Sequence, residues 1–285
     1  MNTALGRGGG DALGFCLSEL RREDRDRYLT LLFAPRAKRT ILAALYAFNL
    51  ECAHAVVAGG EQPLLGQMRL QWWRDAISEA MTAREKPSQP VLAILAGRPD
   101  LEPELLQLLA ARERDLTNPP FANLADVTAH AQATGGELSA LAAAVLGGDY
   151  GAAARAAGTA FALVGMVRAI PHQMPGRGYQ GRLCLPMEIL SQEGLIADDV
   201  WTGKNIAAVS ACVRELAVAA ALELAKLQGL RNVGQALSPL LHGSLAAAYL
   251  ARLAKADYDP FSPHLALPPL HRPLLLCWRA LGRRP

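Results

Sequence analysis

The sequence predicts an all-α single domain, on three observations. Apolar residues recur at spacings of three and four, most cleanly over 205–228. Two long stretches, 41–57 and 150–170, are almost wholly apolar without the alternation of a strand. Alternating strand patterns and Asn-Gly hairpin signals are missing from the rest of the chain.

Each element follows from local signals. Residues 1–10, with Gly8, Gly9 and Gly10, are expected to form a flexible tail, and Asp11 to cap a helix running to about residue 22 inside a domain spanning 11–285. A short helix follows over 24–32. Pro35 and a basic cluster precede the 41–57 helix, which Gly59 and Gly60 end. Being apolar on nearly every face, that helix is expected to be buried on all sides, with Asn49, Glu51 and His54 needing partners. Over 63–83, Leu65, Met68, Trp72, Ile77 and Ala80 stand at helical spacing. Helices over 92–96 and 101–116 are divided at Pro99 and closed by Pro119 and Pro120. The 124–146 segment carries Gly135 and Gly136 in its middle, which make either a kink or close crossing, or space beside a cavity. The 150–170 helix ends at Pro171. Short helices at 187–192 and 198–201 lead into 205–228, 240–256 and finally 270–281.

Composition narrows the function classes. In 285 residues, a 51% hydrophobic and 19% charged composition excludes disorder for most of the length. The net charge of +3 is mild and its 29 basic residues are scattered, so nucleic acid is not an expected partner. Five separated cysteines, Cys16, Cys52, Cys184, Cys212 and Cys277, read as reduced core thiols. Neither a signal peptide nor a transit peptide is recognisable at the N-terminus, and no uninterrupted apolar stretch reaches spanning length, so a cytoplasmic protein is expected, peripheral at most on the inner face of the cytoplasmic membrane.

Candidate chemistry is sparse. Glu51 and His54 share one helical face with the Glu-x-x-His spacing of di-iron bundles, but no second such pair exists, and mutual or neighbouring hydrogen bonds are the simpler reading. Arg168, in an apolar helix, either serves as an anion ligand or pairs with a buried acid such as Glu51 or Glu137. The loop 176–182 offers Arg177 and Arg182 to an anion, or is a solvated turn. Helical spacing puts Trp72 and Leu65 on the core face, the alternative being a partner surface through Trp73 and Arg74.

The run from Tyr28 to Phe48, with Phe33-Ala-Pro35 and Tyr46-Ala-Phe48, resembles the opening of the squalene/phytoene synthases. A second match lies between Phe161 and Pro186, ending Leu185-Pro186. That resemblance implies an isoprenoid-synthase fold, helices around a central cavity, and head-to-head prenyl transfer with Mg2+ held by Asp-rich motifs. The family's motif positions fall here on Leu50, Ala53, His54 and Val57, and on Ala169 and Gln173 after a retained Arg168. Phe48 to Ala53, Arg69 to Arg74, Arg168 to Pro171 and Asp257 to Phe261 resemble the branch of the family that acts in building NADH:quinone oxidoreductase, respiratory complex I. The resemblance therefore implies a catalytically inactive assembly or binding factor without cofactor, whose partners are a complex I subunit or assembly protein, a lipid or isoprenoid in the former cavity, and the membrane surface. The alternative it leaves open is a prenyl diphosphate transferase, or another terpenoid enzyme, with a rebuilt Mg2+ site.

The C-terminal stretch from Leu270 combines apolar bulk with Arg272, Arg279, Arg283 and Arg284. It is expected either to lie in a membrane interface or to dock on the protein's own core.

Overall fold

In the computed structural model, residues 7–59, 62–82, 85, 87–117, 119–173, 183–266 and 271–282 are described. The helices, in order, are α1 (Arg7–Glu23), α2 (Arg25–Leu31), α3 (Arg39–Gly59), α4 (Pro63–Thr82), α5 (Pro90–Leu95), α6 (Glu102–Thr117), α7 (Leu124–Ala131), α8 (Glu137–Leu146), α9 (Gly151–Ala169), α10 (Met187–Gln192), α11 (Ala197–Trp201), α12 (Ile206–Ala225), α13 (Leu237–Lys255), α14 (Pro263–Ala266) and α15 (Arg272–Leu281). No strand occurs among the described residues, as the patterning predicts. The first helix begins at Arg7, so residues 7–10 belong to it and not to a tail.

Apolar side chains gather into two main clusters. One is built on α1, α3, α4, α5, α6 and α8, the other on α7, α9, α12 and α13 with the 183–201 segment. At the core of the first, Leu42 to Phe48 of α3 are each at most 2% exposed. Burial on all sides, expected for the whole helix, stops there. From residue 50 to residue 57 Cys52 and Ala55 alone are buried, and Val57 is exposed, because this stretch of α3 reaches the surface. α3 and α9 are long and apolar enough to cross a membrane by length and composition, contrary to the expectation that no stretch would be; more than half of each such window is buried inside the protein, which makes them core helices.

Gly135 and Gly136 settle their two readings in favour of a close crossing. They sit in a π-helical turn, Gln132–Gly136, between α7 and α8, pressed against α9. A Cβ on Gly135 would lie 2.7 Å from the Ala162 Cβ, and one on Gly158 would lie 2.7 Å from the Ser139 Cβ, so helix axes this close require glycine on both sides.

The short α2 joins the two clusters through polar side chains. Thr30 Oγ1 and Ser139 Oγ lie 3.1 Å from Nε2 and Nδ1 of His242 respectively, which ties α2 and α8 to α13. Ser238 Oγ donates to the Thr30 carbonyl at 2.9 Å. Arg27, paired with Asp24, lays its guanidinium 5.3 Å from the Phe161 ring centroid and 6.0 Å from that of Tyr46.

His242 is fully buried and stacked on Phe161 at 5.2 Å, and desolvation with the nearby Arg27 charge lowers its pKa well below 6.5. The folded state therefore refuses a proton that the unfolded chain accepts. Stability is independent of this group above about pH 6.5 and falls as pH drops below it, by up to about 1.4 kcal/mol for each pH unit until the folded pKa is reached. Glu51, whose carboxyl is held above its ordinary range mainly by desolvation, acts in the opposite sense, stability rising as pH falls through its folded pKa. Thermal unfolding between pH 7.5 and pH 5.5 should accordingly show a destabilisation that His242→Asn reduces; an unchanged pH slope in that variant would contradict the assignment.

Candidate functional site

The residues singled out by sequence converge on two places. The first is the outer half of α3. Leu50, Glu51, Ala53 and His54 are half-buried there and Val57 is exposed. Glu51 is three residues from His54 and feels the charges of His54, Glu19 and Arg69, so it faces α1 and α4 across a partly desolvated seam. Asn49, at 8% exposure, accepts from Arg112 Nη2 at 3.0 Å. Arg112 reaches Asp115 at 3.3 Å, and Asp115 lies 3.1 Å from His130 Nε2. This network runs α3–α6–α7 and supplies the partner that Asn49 was expected to need.

The second place is the end of α9. Arg168, Ala169 and Gln173 are each half-buried. Gln173 Oε1 accepts from the Cys184 thiol at 3.9 Å, which sets it against the buried Cys184–Leu185 stretch. That stretch is fixed in turn by Met187 N–H donating to the Phe121 carbonyl at 2.8 Å. Arg177 and Arg182 lie outside the described residues.

Arg168 pairs with neither Glu51 nor Glu137. Glu137 is held by Arg155 at 2.6 Å, and the acid facing Arg168 is Asp26 of α2, 3.6 Å away. Asp26 is 6% exposed; it accepts from Tyr249 Oη at 2.7 Å and forms an ion pair with Arg272. The Arg168 guanidinium lies 3.9 Å from the Tyr249 ring centroid. One carboxylate thus anchors α9, α13 and α15 to α2. Sequence reading missed it because Asp26 is 246 positions from Arg272. The available signal was Asp26 and Thr30 at i and i+4, which share one face of this short helix.

The orientation of α4 is opposite to the one expected. Trp73 is 4% exposed and meets Phe48 edge-on at 5.4 Å, whereas Trp72, Leu65 and Met68 are exposed. Trp73 is therefore core and cannot form a partner surface. Arg74 pairs with Glu113 and lines, with Met68, Trp72 and Leu116, a groove of about 690 Å³ between α4 and α6.

Burial pushes the Cys16 and Cys52 thiols up to about 12 and that of Cys212 to about 11, so these three are inert. Cys277 is exposed, not a core residue. Among the described residues, no group of three or more His, Cys, Asp or Glu is placed to hold a metal ion.

The C-terminal helix docks on the protein. Arg272 and Leu276 of α15 are buried, while Leu274, Trp278 and Leu281 point outward at 73%, 66% and 86% exposure. Docking on the core is thus the outcome for Arg272 and Leu276 of this helix.

Comparison with known proteins gives this arrangement a lineage. The chain is 30% identical over 273 residues to the NADH dehydrogenase (ubiquinone) complex I assembly factor 6 of Rattus norvegicus, covering 92% of this chain and 80% of that protein. A homologue of the same factor in Drosophila melanogaster is 30% identical over 259 residues, covering 85% and 75%. Among solved structures, a dehydrosqualene synthase in complex with ligand superposes with a TM-score of 0.77 at 15% identity over 96% of both chains. The squalene synthase HpnC from Alicyclobacillus acidocaldarius gives 0.70 at 17% identity, over 90% of this chain and all of the other. These likenesses establish the isoprenoid-synthase fold. The squalene/phytoene synthase family model matches residues 20–276, and the chain belongs to that family.

Proposed function

We propose that this protein is a non-catalytic member of the squalene/phytoene synthase family that serves as an assembly or binding factor for NADH:quinone oxidoreductase. The observation that carries the reading is the donor set at the family's metal positions. Diphosphate departure needs divalent cations held on carboxylate oxygens. Ala53, Val57 and Ala169 offer no donor, and Gln173 offers one neutral amide that already accepts from Cys184. Glu51 is the only acid on the described part of α3 and is disposed to hold its proton. This set does not fit Mg2+, and no catalytic step is assigned to it.

Relatives named as complex I assembly factors, alike over most of both chains, support the assembly role. Under this reading the fold serves recognition, with a respiratory complex I subunit or assembly protein as partner. Leu50, Ala53 and Val57 make the former motif wall apolar, which suits a lipid or isoprenoid, not a diphosphate. The outward Leu274, Trp278 and Leu281 of α15 suit peripheral contact with the cytoplasmic face of a membrane.

Purified protein incubated with magnesium and farnesyl or geranylgeranyl diphosphate is expected to release no diphosphate above background. Magnesium-dependent turnover abolished by a single substitution at Arg168 or Gln173 would instead identify an enzyme with a rebuilt site.

A further inference from the structure

A second cleft, of about 410 Å³, opens away from the family's motif positions. It lies between the turn after α12, the middle of α13 and the outer end of α15. Its lining includes Leu227, Gly229, Arg231, Ser244, Ala247 and Arg279. The Ser244 hydroxyl is buried in a residue 4% exposed and has no hydrogen-bond partner; the Arg279 Nε is likewise buried and unpartnered. Among the described residues no acid lines the cleft, and neither Arg231 nor Arg279 has a carboxylate partner.

Buried donors without acceptors are rare in folded proteins and mark places where something else completes the bonding. The Arg279 guanidinium carbon lies 5.2 Å from the Trp278 ring centroid, and its Nε–H is left without an acceptor. The turn that carries Arg231 is held by left-handed backbone at Gly229, Asn232 and Gly234. Two guanidinium forks and a hydroxyl around one space match the oxygens of a tetrahedral anion. Leu224, Leu227 and Leu230 leave apolar room beside it for an organic substituent.

We propose that this cleft binds a phosphate group, Arg231 and Arg279 donating to its oxygens and Ser244 completing the bonding. The same chemistry comes from a lipid headgroup or from a soluble phosphate ester. The apolar outer face of α15, adjoining Arg279, makes the lipid source accessible to the site.

The test is titration of the full chain, at constant ionic strength, with inorganic phosphate and with short-chain phosphatidic acid kept below its micelle threshold, read by calorimetry and Trp fluorescence. Saturable one-to-one binding is expected, weakened at least about tenfold in Arg279→Gln and in Arg231→Gln. Arg231 is exposed, so the second variant keeps the fold if the first loses it. Tighter binding of the phosphatidic acid assigns a headgroup, and equal or tighter binding of inorganic phosphate assigns a soluble phosphate. A response to phosphate no greater than to chloride, or wild-type affinity in the Arg231→Gln/Arg279→Gln double variant, would overturn the site. Because the prenyl diphosphate assay does not involve these residues, the two proposals fail independently.

Discussion

Asp26→Ala is expected to lower stability by about 3–5 kcal/mol, the loss that follows when one member of a buried ion network leaves the others uncompensated. Arg272, whose side chain is 10% exposed, would keep a charge with no counter-ion, and Tyr249 Oη would lose its acceptor. Arg168 would lose the same partner but is 35% exposed, so water offsets part of its cost. The damage should be directional, because Arg272 is the first residue of α15 and one of the two that bury it. Amide exchange in 272–281 should therefore rise before the rest of the protein opens. Chemical denaturation gives the size of the loss, and Asp26→Asn separates charge from shape by keeping an acceptor for Tyr249. A loss below about 1 kcal/mol, within the range of a surface ion pair, would mean that α15 is held by Leu276 alone.

Trp73→Ala is expected to cost about 3–5 kcal/mol, as for other large aromatics removed from a core. Trp72→Ala, its sequence neighbour, should stay within about 0.5 kcal/mol of the parent. The contrast follows from exposures of 4% and 50% and from the edge-on contact of Trp73 with Phe48 at the centre of the first cluster. Paired unfolding curves for the two variants decide it; equal effects would mean that α4 is rotated from the orientation found here.

These two cases also show how far the sequence could be read. Helix positions came through because period and punctuation agree, as at 41–57 within Arg39–Gly59 and 205–228 around Ile206–Ala225. The facing of α4 did not, for a physical reason. Leu65, Met68 and Trp72 make one stripe at i, i+3 and i+7, and Leu70, Trp73, Ile77 and Ala80 make another with the same spacing. A helix with two apolar stripes gives no local sign of which is buried, and packing against Phe48 decides. Family membership was legible from the framing residues Phe33-Ala-Pro35, Tyr46-Ala-Phe48 and Leu185-Pro186, which lie inside the matched span 20–276. The partner of Arg168 was not, since choosing Asp26 over Glu51 or Glu137 depends on how α2 is wedged among α9, α13 and α15. The pairing of Gly135 with Gly158 was half visible. Glycines in a helix imply a close approach, but the helix that approaches is set by tertiary structure.

The proposal that a synthase architecture is kept for recognition and not for prenyl transfer is the core of the functional account, and deletion of the gene tests it most directly. The amount of assembled NADH:quinone oxidoreductase, measured by native gel and by NADH oxidation in membranes of the deletion strain, is predicted to fall while squalene, carotenoid and hopanoid levels stay unchanged, and a copy carrying Glu51→Ala and Arg168→Ala is predicted to restore it. A normal respiratory complex together with a missing terpenoid would contradict the account and return the protein to prenyl transfer.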